Sequence, residues 1–472
     1  MPHYLAVDLG AESGRVMLAT LERGRLELEE LHRFANAPVQ LPTGLYWDSF
    51  RLFHDIVRGL SVAGRERKLK VAGIGIDTWG VDFGLLGADG SLVDCPRHYR
   101  DPRNDGIPER LFETVPRGDV FAHTGIQFMQ FNSIYQLYAM KLGGCPGLGV
   151  AERLLFMPDL LSYWLTGVQK SEASIASTSQ FYDPRKKRFA TELFERLGLP
   201  TSILPPLVET GTLLGPLREE LAESTKLGPA PVYATAAHDT ASAVAAVPAS
   251  GDRWCYISSG TWSLMGVELD EPVITDRSLE LNFTNEIGAG GKVRFLKNIA
   301  GLWLLQECRR AWAAEGREYS YEELARLAAE AGPSNGTLDV DAFLHPGQMP
   351  LKIAAWRRAH SQPVPETPGE VCRAILEGLA ARYAEVLESL DEIVGHRIET
   401  IHIVGGGSRH RLLNSLVAEA TGRRVIAGPT EATAIGNVLV QAVAAGQLRD
   451  LAEGREIVRG AFELEIFDPP AA

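Results

Sequence analysis

Val7-Asp8-Leu9-Gly10-Ala11-Glu12-Ser13-Gly14-Arg15 reads as an apolar strand that ends on a carboxylate, turns through small and polar residues, and resumes as a second strand. The outline returns late in the chain as Ile257-Ser258-Ser259-Gly260-Thr261-Trp262-Ser263: strand, Gly/Ser turn, strand. A motif that opens each half of a chain predicts two related α/β lobes. The alternative is coincidence, since many hairpins share this outline.

Working outward, Tyr4–Leu9, Arg15–Leu21 and Leu26–Phe34 form apolar or alternating runs separated by tight turns, the second at Arg23-Gly24-Arg25. This predicts an antiparallel meander. Helical periodicity follows around Phe50–Leu60, then a short buried strand over Val71–Asp77, and a helix over Asn132–Leu142 stopped by Gly143-Gly144. Pro248-Ala249-Ser250-Gly251-Asp252 is a turn-rich break. Beyond it come strands Trp254–Ser258 and Trp262–Leu269, a long helix Pro368–Val394, a strand Thr400–Val404, and helices around His410–Thr421 and Thr433–Ala444. The 472 residues suit two to three domains of about 150 residues each. The repeated opening favours two, 1–248 and 249–472.

Composition narrows the function. With 45% hydrophobic and 23% charged residues the chain is globular. Its 47 basic and 60 acidic side chains leave a net charge of −13 and a pI near 5.4. Nucleic acid and anionic membrane are therefore poor partners. The five cysteines are scattered, odd in number and without a CxxC pair, as expected of reduced thiols. No apolar run approaches the ~18 residues that span a bilayer. Met1-Pro2-His3 lacks the features of a secretory signal, so the expected location is the cytoplasm.

Four segments could carry chemistry. In Asp8–Arg15 the glycines let backbone N–H groups approach an anion, Ser13 adds a donor, and Arg15 adds a cationic fork for phosphate oxygens. Asp8 could hold magnesium through water. A structural hairpin turn is the competing reading. Ala236-Ala237-His238-Asp239-Thr240 follows the strand Pro231–Ala234 and precedes a small-residue helix expected over Ala241–Val247. Asp239 is either a helix cap or a catalytic carboxylate. Asp77-Thr78-Trp79-Gly80-Val81-Asp82 puts two carboxylates and an indole at a strand's carboxyl end, where ligand-lining loops sit; a turn around a packed Trp is the alternative. Val404-Gly405-Gly406-Gly407 bares a backbone surface that suits a flat nucleoside or a phosphate, or is a flexible link. The segment from Thr430 to Asn437 opens a helix with a close-packing Ala/Gly face, and no separate chemistry is read from it.

Taken together and in order, these segments resemble the FGGY family of carbohydrate kinases over nearly the whole chain. The longer strings Gly75–Phe83, Gly125-Ile126-Gln127-Phe128 with Phe131-Asn132, His238–Ser242, Leu296-Lys297-Asn298-Ile299 and Gly301–Gln306 are most similar to the branch acting on L-rhamnulose. The resemblance implies an α/β fold of two ribonuclease-H-like lobes, as in actin and hexokinase, around an interlobe cleft. The first lobe would carry sugar binding, the first phosphate loop and the catalytic base, and the second would bind nucleotide. The implied reaction moves the ATP γ-phosphate to O1 of L-rhamnulose, with Mg²⁺ accompanying the nucleotide. Asp239 would be the base, and Gly80, His238, Asp239, Thr240 and Asn298 would meet the sugar. Ala11, Glu12, Ser13, Gly14, Arg15, Thr261, Gln306 and Gly406 would meet ATP. Asp8 would bind the metal through water.

This chain departs from the family pattern at Glu12, where a small or hydroxyl residue is usual, and at Ala237, where Ser is common. A carboxylate at position 12 repels polyphosphate unless it points to solvent. Trp79 and Phe131 are expected to form an apolar wall for the methyl group of a 6-deoxy sugar. Other readings stay open: a kinase for L-fuculose or L-ribulose, a glycosidase pairing Asp77 with Asp239, or a non-catalytic sugar sensor. The sequence leaves the oligomeric state open and is compatible with a monomer.

Overall fold

A computed structural model describes residues 1–22, 24–343 and 345–470. Arg23 of the Arg23-Gly24-Arg25 turn lies outside the described residues; Gly24 takes a left-handed φ of +77°. The chain forms two compact units. The first gathers Met1–Ala246, Glu268–Phe295 and Ala432–Ala461, and the second gathers Val247–Val267, Leu296–Glu431 and Phe462–Ala472. Residues 268–295 and 432–461, which follow the turn-rich break in the sequence, group with the first unit.

The first unit is built on a six-stranded sheet in the order Thr212–Pro216, Pro231–Ala234, Gly73–Thr78, His3–Leu9, Ser13–Glu22, Arg25–Ala35. The last three strands are the expected meander. Leu5, Val7 and Leu9 alternate onto a face shared with Val16, Leu18, Ile74, Ile76 and Val232. Helix Ser49–Ser61 closes this face with Leu52, Ile56 and Leu60, one residue per turn. Its start is capped by Asp48, which accepts from Arg51 N at 3.1 Å.

Strand Gly73–Thr78 is buried along its whole length because helices cover both faces. Met157–Thr166 and Ala432–Ala444 both pack on it. The second helix comes exceptionally close. A Cβ on Gly73 would stand 2.4 Å from Gln441 Oε1, and one on Gly75 would stand 2.6 Å from Asn437 Oδ1. The same helix meets Asp239–Ala245 through Gly436, where a Cβ would lie 1.7 Å from Ser242 O. That helix begins at Asp239 and ends at Ala245. It thus starts two residues before the expected Ala241–Val247, because Asp239 and Thr240 already take helical geometry.

The second sheet has seven strands in the order Glu465–Phe467, Arg424–Ala427, Thr400–Val404, Trp254–Ser259, Trp262–Leu269, Val293–Ala300, Thr284–Ile287, and its first five repeat the plan of the first. Directions repeat strand for strand. In each unit the opening strand is antiparallel to its hairpin partner and parallel to the strand on its other side. That strand is parallel to the next, which is antiparallel to the edge strand. The shared opening motif is therefore the visible part of a repeated topology. Helix Pro368–Val394 starts on a Thr367–Glu370 capping box and ends at Gly395 with φ +72°. It packs against Arg411–Thr421. All five cysteines are free. Among the described residues no helix is long and apolar enough to cross a membrane.

Gly436→Ala should destabilise the protein by at least about 2 kcal/mol, because the added methyl meets a backbone oxygen that cannot move alone. Urea denaturation checks this against Gly118→Ala, a helical glycine whose Cβ would meet nothing within 4 Å and which should be neutral or slightly stabilising.

Candidate active site

Strand ends bring together the acids of the first unit. Asp8 and Asp77 lie opposite each other on paired parallel strands, and Asp8 lies opposite Arg15 on the hairpin. Thr78 bridges to His238, and Thr78 N donates to Ala237 O at 2.9 Å. Asp239 is thereby set just beyond the same sheet edge. Asp8, Asp77 and Asp239 consequently share one field.

Asp77 is fully buried. Asn437 Nδ2 donates to its Oδ2 at 2.6 Å, while Oδ1 has no hydrogen-bond partner. Burial and then the Asp8 charge push its pKa well above the usual carboxylate range. A carboxyl with no exposed surface is a poor glycosidase partner for Asp239. Its Asn437 donor went unread in the sequence, where that helix carries only packing.

Asp239 differs. Its side chain is 30% exposed. Oδ1 accepts from Thr240 N at 2.5 Å and Thr240 Oγ1 at 3.1 Å, and His238 Nε2 lies 3.4 Å from the same oxygen. Burial raises its pKa and Asp8 adds to this, against the lowering effect of His238. His238 occupies the N-cap position without a side-chain capping bond. Instead its Nδ1 lies 3.1 Å from both Glu286 Oε2 and Arg294 Nη2. The backbone ahead of Asp239 is pinned separately. Glu172 Oε2 accepts from Ala237 N at 3.2 Å, and Ser174 Oγ accepts from His238 N at 3.2 Å. Sequence reading missed Glu172, Glu286 and Arg294, since nothing local marks a partner dozens of residues away.

The loop after Thr78 is held under backbone strain. Val81, a β-branched residue, has φ +69°, and Asp82 N reaches back to Gly80 O at 2.9 Å, a γ-turn. Such a turn costs on the order of 1–3 kcal/mol and persists only where the surroundings enforce it. Here Thr178 Oγ1 accepts from Val81 N at 3.0 Å, and Ser133 Oγ donates to Val81 O at 2.5 Å. Gly80 faces Thr178, whose side-chain atoms would stand 3.3 Å from a Cβ.

Asp82 is taken up entirely by internal bonds. It is fully buried. Its Oδ2 accepts from Trp47 Nε1, Trp79 Nε1 and Tyr99 N at 2.6, 3.0 and 3.1 Å, and its Oδ1 accepts from Gln136 Nε2 at 2.8 Å. Burial still lifts its pKa to about 6 against these bonds. Trp79 is committed to the same cluster, 6% exposed and 4.0 Å from the Trp47 ring. Most of the expected apolar wall at Trp79 is thus core. Phe131, edge-on to Tyr99 at 5.4 Å, is half-buried.

The hairpin loop over 10–14 is fixed by Asn36, whose N donates to Glu12 O at 3.0 Å and Nδ2 to Gly10 O at 2.7 Å. Gly14 is also packed tightly, since a Cβ there would lie 2.3 Å from the Phe34 ring. Ala11 and Ser13 are half-buried, and Glu12 is exposed, as a carboxylate in this loop must be. Arg15 Nη2 bonds Asp8 Oδ2 at 2.5 Å. Among the described residues no three His, Cys, Asp or Glu side chains are arranged to hold a metal ion. Asp8 therefore fits only an ion that keeps most of its water.

In the second unit Gln306 Nε2 donates to Thr261 Oγ1 at 3.5 Å, and the buried Gln306 Oε1 has no partner. Gly301 passes so close to the Thr261–Ser263 backbone that a Cβ would stand 2.5 Å from Trp262 C. The three glycines differ in purpose. Gly405 has φ +83°, and Gly407 would clash with Ser259 Oγ at 2.0 Å. Gly406 is exposed with nothing near its missing Cβ. An open backbone surface at Gly406 and an orphaned amide oxygen on Gln306 are each features that suit a polar ligand. Asn298 lies half-buried on strand Val293–Ala300.

The chain matches the FGGY family of carbohydrate kinases, N-terminal domain, over residues 3–246 and the C-terminal domain over residues 255–445. It is 46% identical to a rhamnulokinase of Bacteroides thetaiotaomicron over 469 residues, 99% of this chain and 96% of that protein. It is 41% identical to a rhamnulokinase of Enterococcus faecalis, over 98% of this chain and 94% of that one. A ligand-bound xylulose kinase from Lactobacillus acidophilus superposes with a TM-score of 0.81 at 14% identity, covering 100% of this chain and 94% of its own. Plasmodium falciparum glycerol kinase with ADP gives 0.79 at 14% identity, covering 99% and 94%. At such identities the structural likeness speaks to the fold.

Asn437→Leu should raise the Asp77 pKa further by removing its one donor. A carboxyl-carbon NMR titration, with Asp77→Asn to assign the signal, checks this; an unchanged or lower midpoint contradicts the account.

Proposed function

The chain belongs to the FGGY family of carbohydrate kinases, and from that premise we propose that it transfers the γ-phosphate of ATP to O1 of L-rhamnulose, giving L-rhamnulose 1-phosphate and ADP. It is a phosphotransferase acting on a sugar hydroxyl, and its relatives place it in rhamnose metabolism.

The observation that carries the chemistry is the state of Asp239. Its hydrogen bonds fall on Oδ1, while the side chain keeps 30% of its surface exposed. A base needs this combination of fixed orientation and an accessible oxygen. A sugar hydroxyl is a weak nucleophile, and Asp239 takes its proton as the new O–P bond forms. The raised pKa makes Asp239 a stronger base than a surface carboxylate. Gly80, His238, Thr240 and Asn298 are the proposed sugar contacts, with the strained Val81 turn holding Gly80 in place.

Ala11, Glu12, Ser13, Gly14 and Arg15 are the proposed first contacts with ATP, Glu12 through its backbone alone. Thr261, Gln306 and Gly406 are proposed for the rest of the nucleotide, supported by the orphaned Gln306 oxygen and the open Gly406 surface. Asp8 would hold Mg²⁺ through water, and the ion would supply charge neutralisation at the phosphates. Arg15 and backbone N–H groups add fixed positive potential in a chain whose net charge is −13.

Asp239→Asn should retain ATP binding, read by calorimetry, and lose at least about a hundredfold in kcat. Near-normal turnover would remove Asp239 from the base role. In an ADP-release assay L-rhamnulose should outpace L-fuculose and L-ribulose by at least about tenfold in kcat/KM. A different leader would reassign the substrate, and ADP release with none of them would refute the ketose reading.

A further inference from the structure

The first unit contains a buried charged pair that the proposed reaction leaves unused. Arg294 is fully buried, as is all but a sliver of Glu286. Arg294 Nη2 donates to Glu286 Oε2 at 2.9 Å. Removing two charges from water is expensive, and a pair gains little stability over well-packed apolar residues. The contacts around it are specific. Asn285 N and Nδ2 both donate to Gly125 O at 2.9 Å, and Ser177 Oγ accepts from Ile287 N at 2.8 Å. Strand Thr284–Ile287 therefore presents Glu286 in one position. Arg294 Nε is tied back to Ile287 O at 3.3 Å.

Both members of the pair meet the same atom. His238 Nδ1 is 3.1 Å from Glu286 Oε2 and 3.1 Å from Arg294 Nη2, and the far ring nitrogen Nε2 is 3.4 Å from Asp239 Oδ1. We infer that Glu286 and Arg294 are positioning residues which lock the His238 ring so that Nε2 faces Asp239 and holds its Oδ1. This rests on the assignment of Asp239 as the base. An imidazole anchored at neither nitrogen can turn end over end, and one anchored at Nδ1 has a single direction for Nε2. The pair is close to neutral overall, so it fixes the ring without adding net charge beside Asp239. Burial raises the Glu286 pKa, but Arg294 and His238 outweigh it and hold the carboxyl below its usual range. The pair thus stays ionised.

A double-mutant cycle on the full chain tests this. The paired replacement Glu286→Leu with Arg294→Met removes both charges together and keeps the volume, so it should fold where a single deletion leaves one buried charge alone. Thermal unfolding confirms folding, and Glu286→Gln, which keeps an oxygen for the ring, is the second variant. The paired replacement should lower kcat about ten- to a hundredfold with the KM for ATP within about twofold, Glu286→Gln should recover part of the loss, and in a His238→Ala background the paired replacement should cost less than about twofold. Equal losses in both backgrounds, or a loss seen only in the KM for ATP, would overturn the inference. Asp239→Asn in the same assay keeps the two ideas apart. Full turnover there defeats the base assignment, whereas an additive cycle with an inactive Asp239→Asn defeats only the positioning role.

Discussion

The first unit depends on a contact made possible by missing side chains. Helix Ala432–Ala444 lies against strand Gly73–Thr78 where Gly73 and Gly75 have no Cβ, and against helix Asp239–Ala245 where Gly436 has none. At Gly436 a Cβ would run into the Ser242 carbonyl, while at Gly73 and Gly75 it would displace the Gln441 and Asn437 amides. The close approach lets Asn437 reach Asp77 at 2.6 Å and Gln441 reach the carbonyl of Leu5 at 3.1 Å. Packing and polar satisfaction are one requirement here, since an unpaired carboxylate in this layer would be far costlier than one with a donor.

A second theme is how an acidic protein manages buried acids. Asp77, Asp82 and Glu172 are all deeply buried, and burial raises the pKa of each. None of the three bonds an arginine or lysine; their donors are amides, hydroxyls, indoles and backbone N–H groups. Asp82 draws two indoles, a backbone N–H and an amide onto one side chain, which fixes the aromatic cluster below the Gly80 loop. Glu172 does the same for the backbone leading to Asp239. These acids are organisers of shape. Asp239 differs from all three in taking its hydrogen bonds on one oxygen and keeping 30% of its side chain exposed.

Much of this was legible in the residues. Alternation and turn signals located the opening meander, the strands Trp262–Leu269 and Thr400–Val404, and the helix Pro368–Val394, because each is a local pattern long enough to show its period. The glycine-rich segments were visible too, but their reasons were not. Gly14 and Gly407 are packed tightly against Phe34 and Ser259, residues 20 and 148 positions away, and only Gly406 is bare for want of any neighbour. Trp79 showed the same limit: an indole after a strand end looks like a ligand wall until its N–H is found on Asp82.

Sequence by itself determined the repeated strand-turn-strand openings, the class of fold and the set of acids and glycines from which a phosphotransferase site can be made. These are properties of residue type and spacing, which the chain carries locally. Tertiary structure alone decided which acid would be accessible and which would be entombed, since Asp77, Asp82 and Asp239 differ in their neighbours and not in their chemistry. It also decided that helix Ala432–Ala444 covers strand Gly73–Thr78, hundreds of residues earlier in the chain. Burial and donor geometry are set by what packs against a residue, and no local pattern records that.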